Sequence, residues 1–182
     1  MPRRARLKLG AQAAAAAGVG VLAALLIWNL THQTPPPKVG ARAPDFSLRR
    51  LSGGGEISLA SFRGKTVVLN FFASWCGPCK REAPALEKVW RDDHGSGVVV
   101  LGIDSKDARG DALRFVHAHG LTYPIVSDPS ASEAFRYGIP VLPVTFVLNP
   151  QGRVVGTPIL GPISDKGFSQ QFTRELNASV KS

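Results

Sequence analysis

Thr66-Val67-Val68-Leu69-Asn70-Phe71-Phe72-Ala73-Ser74-Trp75-Cys76-Gly77-Pro78-Cys79 is the stretch that decides the fold. Its first half, Thr66 to Phe72, is a continuous apolar, β-branched and aromatic run, the pattern of a strand buried on both faces. Its second half carries both cysteines of the chain, two residues apart. Pro78 then opens a helical pattern to about Asp92, with Ala83, Leu86, Val89 and Trp90 on one face. A buried strand therefore hands over to a helix, and a C-x-x-C motif stands at the junction.

The alternation continues outward. Upstream, Glu56 to Leu59 reads as a short strand after the Gly53-Gly54-Gly55 turn. Downstream, Val98 to Ile103 is a second buried strand, Asp107 to His119 a helix ended by Gly120, and Tyr123 to Val126 a short extended piece. Ser130 to Tyr137 reads as a short helix. Val144 to Leu148 and Arg153 to Thr157 form a hairpin around Asn149-Pro150-Gln151-Gly152. A closing helix runs from Ser164, its expected N-cap, to about Val180, with Phe168, Phe172 and Leu176 on one face. Strands alternating with helices and ending in a hairpin and helix predict an α/β sandwich with a mixed sheet, over residues 39–182.

The junction carries the chemistry. Cys76 falls at a helix N-terminus, where unpaired N–H groups and the helix dipole favour a thiolate. Cys79 lies one turn in and is expected to be more buried. This assigns Cys76 as the attacking sulfur and Cys79 as the one that resolves the mixed disulfide. Two bland readings compete. A zinc half-site needs two more ligands, and the four histidines offer no matching pair; His117 and His119, two residues apart on a helix, point apart and read as surface residues. A purely structural bridge closes too short a loop to stabilise much. The pair is expected to carry redox chemistry, with no cofactor beyond the two cysteines and no metal.

Composition bounds the rest. With 182 residues, 44% hydrophobic and 19% charged, the chain has the composition of one globular domain plus a small extra segment. The net charge of +9 is uneven, because residues 1–41 hold Arg3, Arg4, Arg6, Lys8 and Lys38 and no acid. No basic stripe with interleaved aromatics appears in the body, so nucleic acid is not an expected partner. After the basic residues 1–8, residues 9–30 carry no charge and end near Trp28. A helix of this length spans about 33 Å, enough for a hydrocarbon core of about 30 Å. The expectation is a signal-anchor with a cytoplasmic basic tail, a proline-rich linker at 31–38 around Pro35-Pro36-Pro37, and a domain outside the membrane. A cleaved signal peptide fits less well, since the apolar run is long and no small-x-small site follows it closely. A twin-arginine signal is only partly matched by Arg3 and Arg4. Asp104 to Asp111, three acids and two bases, reads as a solvated loop and helix start.

On these motifs the chain resembles the thioredoxin-like superfamily, and within it the membrane-anchored TlpA/ResA-type thiol-disulfide oxidoreductases, relatives of the AhpC/TSA redoxins. The resemblance rests on Ala43-Pro44-Asp45-Phe46, on Val67 to Ser74 leading into Trp75-Cys76-Gly77-Pro78-Cys79-Lys80-Arg81-Glu82-Ala83-Pro84, on Tyr137-Gly138-Ile139, on Leu142-Pro143-Val144-Thr145-Phe146 and on Asn149 to Arg153. It implies a thioredoxin-like fold with a mixed central sheet flanked by helices. It implies that Pro143 is a cis-proline against the disulfide, that Leu142 offers its backbone to a substrate, and that Trp75 flanks the disulfide. It implies that Glu82, three positions past the second cysteine, exchanges a proton with Cys79; the bland reading of Glu82 is a surface glutamate facing lysines. Asn70 stands where cytoplasmic thioredoxins place a buried aspartate. Val141 replaces a glycine of many relatives, and Val144 is not the glutamate of one cytochrome-maturation branch.

The resemblance also implies a reductase in an oxidising space, supplied by a membrane electron donor of the CcdA/DsbD type. Its implied clients are apocytochrome c, in cytochrome c biogenesis, or copper-site assembly proteins. A peroxidase is disfavoured because Ala73 and Leu69 stand where its threonine and proline would be. A copper-binding factor is disfavoured by the narrow cysteine spacing and the lack of a distal histidine.

Overall fold

The structure is a computed structural model, and it describes residues 16–28 and 35–180. The chain divides into two compact units, Met1–Thr34 and Pro35–Ser182. In the first, residues 16–28 are helical with exposed apolar side chains, among them Leu22, Leu25 and Leu26. Among the described residues no helix is long and apolar enough to cross a membrane. The expected anchor at 9–30 lies partly outside them, as do the basic tail and part of the linker.

The second unit follows the predicted α/β rhythm. Its elements are β1 (Ser47–Arg49), β2 (Glu56–Ser58), β3 (Thr66–Phe72), α1 (Gly77–Asp93), β4 (Val98–Ser105), α2 (Arg109–Ala118), β5 (Ile125–Asp128), α3 (Ser132–Arg136), β6 (Val144–Leu148), β7 (Val154–Ile159) and α4 (Lys166–Val180). Five strands form one mixed sheet in the order β5-β4-β3-β6-β7. β3 pairs in parallel with β4 and antiparallel with β6, so the strand leading to the cysteines is the central one. All seven of its residues are buried, the polar Asn70 included.

The two-residue period of β3 sorts its side chains between two cores. Val68 and Phe72 join Ala83 and Leu86 of α1, Phe115 of α2 and Phe172 of α4 on one side. Val67, Leu69 and Phe71 join Phe46, Ile57, Tyr137 and Phe146 on the other. Asn70, in phase with Val68 and Phe72, therefore points to the α1 side. Each fully buried large side chain contributes about 1.5–3 kcal/mol of transfer free energy, so β3 is held by both cores up to the residues that lead into Cys76. Gly102 of β4 is part of this packing: a Cβ there would stand 3.0 Å from the Phe72 ring and 3.1 Å from Tyr123 and Ile125.

Several predicted boundaries move. β4 continues two residues past Ile103, to Ser105, because it gains β5 as a parallel neighbour with Asp104 opposite Ser127. β5 begins at Ile125 rather than Tyr123. α4 begins at Lys166, two residues after the expected N-cap Ser164; the carbonyl of Asp165 accepts its first bonds, from Phe168 and Ser169. The predicted strand at Glu56 ends at Ser58, where a 3₁₀ turn, Leu59–Phe62, takes over. β1 is an addition, pairing Ser47 to Arg49 with β2. The hairpin forms as expected, with Asn149 Oδ1 accepting from the N–H groups of Gln151 and Arg153. His117 is exposed, but His119 is half-buried, with its ring 4.6 Å from that of Phe115.

Candidate active site

Cys76 and Cys79 form a disulfide with Cα atoms 5.3 Å apart. Cys76 is the N-cap of α1: its backbone is extended, and its Sγ accepts from the Cys79 N–H at 3.2 Å. The chain turns into a helix there because Pro78 has its dihedral preset and no N–H to leave unpaired. That N–H contact and the dipole of a helix running to Asp93 are the groups that would stabilise a Cys76 thiolate on reduction. Both sulfurs sit in the α1-side core, Cys79 slightly deeper, at 1% exposure against 4% for Cys76.

Glu82 lies one helical turn beyond Cys79 and faces the same way. It is 1% exposed, so the surface-glutamate reading does not hold. Asn70 Nδ2 donates to its Oε1 at 2.8 Å and Ile163 N–H to its Oε2 at 3.2 Å. Burial dominates over these two bonds and raises its pKa to about 7, with repulsion from Asp165 adding to the rise. Asn70 also donates to Thr145 Oγ1 at 3.0 Å, linking β3, β6 and α1 through one amide. The site thus holds a disulfide above a carboxyl that changes protonation near neutral pH.

The Leu142–Pro143 peptide is cis. Pro143 is buried, while Leu142 is half-buried and packs against the core that contains both cysteines. Trp75 is 60% exposed and its Nε1 donates to the Lys106 carbonyl at 3.1 Å. A groove of about 780 Å³ opens beside this tryptophan, lined by Trp75, Lys106, Phe135, Arg136, Val141 and Leu142. Phe135 and Val141, at 57% and 55% exposure, are large apolar side chains left facing water at its walls. The structure therefore gathers Trp75, Cys76, Cys79, Glu82, Leu142 and Pro143 around one strand–helix junction. Among the described residues no group of three or more His, Cys, Asp or Glu side chains is arranged to hold a metal ion.

One part of the site is absent from the sequence reading. Asp107 Oδ2 accepts the Ser74 N–H at 2.6 Å, just ahead of Cys76. Asp104 is fully buried, with neither carboxyl oxygen receiving a hydrogen bond. The expectation of a solvated loop from Asp104 to Asp111 is corrected for these two residues: the extra length of β4 carries Asp104 under the site and brings Asp107 against the loop after β3. No local signal marks this, because an aspartate after an apolar strand ordinarily reads as a solvated turn.

Comparison with known proteins agrees with the geometry. The AhpC/TSA family model matches residues 39–157. The thiol-disulfide oxidoreductase ResA of Geobacillus thermodenitrificans is 38% identical over 116 residues, which span 64% of this chain and 66% of that protein. ResA of Halalkalibacterium halodurans is 32% identical over 144 residues, 79% of this chain and 78% of that protein. Among solved structures, a thiol:disulfide interchange protein of the thioredoxin family from Chlorobium tepidum superposes with a TM-score of 0.65 at 30% identity, covering 76% of this chain and 95% of that one. The fold is the thioredoxin-like one that the motifs imply.

Proposed function

The chain belongs to the AhpC/TSA family, and from that premise we propose that it is a protein-disulfide reductase of the ResA type, acting on client proteins outside the cytoplasmic membrane. The observation that carries the reading is the Cys76–Cys79 disulfide at the N-terminus of α1, one turn above buried Glu82. In the reduced protein the Cys76 thiolate attacks one sulfur of a client disulfide. That S–S bond breaks, a mixed disulfide forms, and the client's other sulfur leaves as a thiolate. Cys79 then gives its proton to Glu82 and attacks Cys76 Sγ, which releases the second client thiol and closes the Cys76–Cys79 disulfide. Two electrons pass to the client for each cycle. A dithiol donor on the membrane, of the CcdA/DsbD type, returns them.

The groove beside Trp75 supports a client that lies along the surface with its disulfide at Cys76. Trp75 and Leu142 flank it, and Leu142 presents its backbone while Pro143 backs the disulfide. The apolar exposed helix at 16–28 and the uncharged run around it support a membrane anchor that places the domain on the outer side, with the basic tail inside. A peroxidase is disfavoured by Ala73 and Leu69 and by the pairing of Cys76 with Cys79. The leading client is apocytochrome c, whose haem-attachment cysteines have the same two-residue spacing; copper-site assembly proteins are the alternative.

The test is a trap in the host. The anchored Cys79→Ser protein should accumulate disulfide-linked adducts, which mass spectrometry identifies. Apocytochromes carrying C-x-x-C-H among them support cytochrome c maturation. Copper-site proteins redirect the same chemistry to oxidase assembly. An absence of any adduct contradicts the reductase reading.

A further inference from the structure

We infer that Asp104 and Asp107 form a carboxylic acid–carboxylate pair that positions the Ser74-Trp75 segment, and through it Cys76, for exchange. The inference rests on the reading of Cys76–Cys79 as the reacting couple. Two hydrogen bonds tie the turn after β4 to the residues ahead of Cys76: Ser74 N–H to Asp107 Oδ2 at 2.6 Å, and Trp75 Nε1–H to the Lys106 carbonyl at 3.1 Å. The turn is itself braced. Asp107 Oδ1 accepts from the Ala108 N–H at 2.8 Å, and the Lys106 N–H donates to the Asp128 carbonyl at 3.1 Å. Lys106 holds a φ of +55°, a conformation that few residues with a side chain adopt.

Asp104 lies beneath this turn. On β4 it is in register with Phe72 of β3, two residues before Ser74. It has no solvent-accessible surface, and neither of its oxygens receives a hydrogen bond. The charged groups that act on it are Asp107 from the turn and Asp128 from β5; β3 presents the Phe72 ring. Asp128 is already engaged. Its Oδ2 accepts from the Glu133 and Ala134 N–H groups at 3.1 Å each, and its Oδ1 from Ser132 Oγ at 3.0 Å. An ionised Asp104 would be an unpaired buried charge beside two other carboxylates, a state that burial and like-charge repulsion both disfavour. As a neutral acid it has an O–H to donate, and we assign Asp107, the charged group that acts on it most strongly, as the acceptor. A single proton thus satisfies Asp104 and fixes the carboxylate that holds Ser74. Burial first, then repulsion from Asp107, keeps that proton bound to a pKa of about 8. Loss of the proton sets two like charges together, loosens the grip on Ser74, and adds a negative field that disfavours a Cys76 thiolate.

The experiment uses the full-length oxidised protein, ¹⁵N-labelled in detergent micelles. The disulfide leaves no thiol to titrate. The Ser74 amide and the Trp75 indole signals are followed from about pH 6 to about pH 10, a span set by the raised acid. Both should move with one midpoint at about 8, distinct from the Glu82 transition read at the Ile163 amide. The transition should vanish in Asp104→Asn, whose amide donates permanently. In Asp107→Asn, which removes the repelling charge, it should fall by at least about one pH unit. The equilibrium constant of the Cys76–Cys79 couple with glutathione should change by at least about threefold in Asp107→Asn, the equivalent of about half a pKa unit. Flat signals in the unmodified protein overturn the pair, as does an unmoved midpoint in Asp104→Asn or, should that variant not fold, in Asp107→Asn. An unchanged equilibrium constant overturns the positioning role. None of these readings involves a client or a donor, so their failure leaves the proposed reductase standing; that reading fails separately, on the cysteine variants.

Discussion

Cys76→Ser should reduce the turnover of insulin disulfides to the uncatalysed rate, a loss of at least about 10³-fold. The reason is local. Cys76 is the residue whose sulfur meets the Cys79 N–H at the N-terminus of α1, and a serine hydroxyl placed there stays protonated at neutral pH, which leaves only the Cys79 thiol, buried at 1% exposure. Cys79→Ser should behave differently. Its Cys76 still attacks, but the mixed disulfide has no resolving thiol, so turnover stops while a covalent adduct accumulates. The measurement is insulin reduction by both variants, followed by non-reducing gel analysis of each. Full activity in Cys76→Ser would remove the mechanism. Adducts in Cys76→Ser and none in Cys79→Ser would exchange the two roles.

Glu82→Gln carries the second large effect. The carboxylate must be ionised to take a proton from Cys79, and its pKa is raised to about 7 by burial. The rate of resolution should therefore rise with pH through about 7 in the unmodified protein. In Glu82→Gln the rise should be absent and the rate at pH 8 lower by about 10²-fold, the usual worth of a positioned general base. Stability supplies a second readout with a definite sign. The folded pKa of about 7 lies above the unfolded value of 4.5. The contribution of Glu82 is thus fully present below about pH 4.5 and is lost as pH rises through 7, because the folded state must give up a proton that the unfolded chain has already released. The loss amounts to about 3 kcal/mol. Urea unfolding of oxidised Glu82→Gln should show a smaller decline between pH 4.5 and pH 8 than the unmodified protein by about that amount. Equal declines would place the raised pKa elsewhere.

Much of this arrangement is legible in the sequence, for identifiable reasons. β3, β4 and β6 are apolar runs of the length a buried strand needs, and the Asn149 to Gly152 turn is written in residues that prefer it. The helix after Cys76 announces itself through Pro78 and the spacing of Ala83 and Leu86. The cis peptide at Pro143 and the expectation of a role for Glu82 come instead from family resemblance, since neither a proline before a strand nor a glutamate on a helix is distinctive alone. What is not legible depends on neighbours distant in sequence. β1 is three residues, Ser47-Leu48-Arg49, with no periodicity, and exists because β2 pairs with it. Asp104 becomes buried because β5 extends β4, and Asp107 becomes part of the site because that extension ends beside Ser74. Ser164 resembles an N-cap, yet the chain turns helical only after Asp165. Each is set by tertiary contact rather than by local preference.

The proposed reductase requires the Cys76–Cys79 couple to give electrons to its clients. Its most direct test is the equilibrium of the Cys76–Cys79 pair with a glutathione redox buffer, read by mass after alkylation of free thiols. A strongly reducing potential, near the value of about −270 mV found for thioredoxin, is the predicted result. A potential of about −120 mV, that of a strong disulfide donor, would contradict a reductase, because the protein would then draw electrons from its clients.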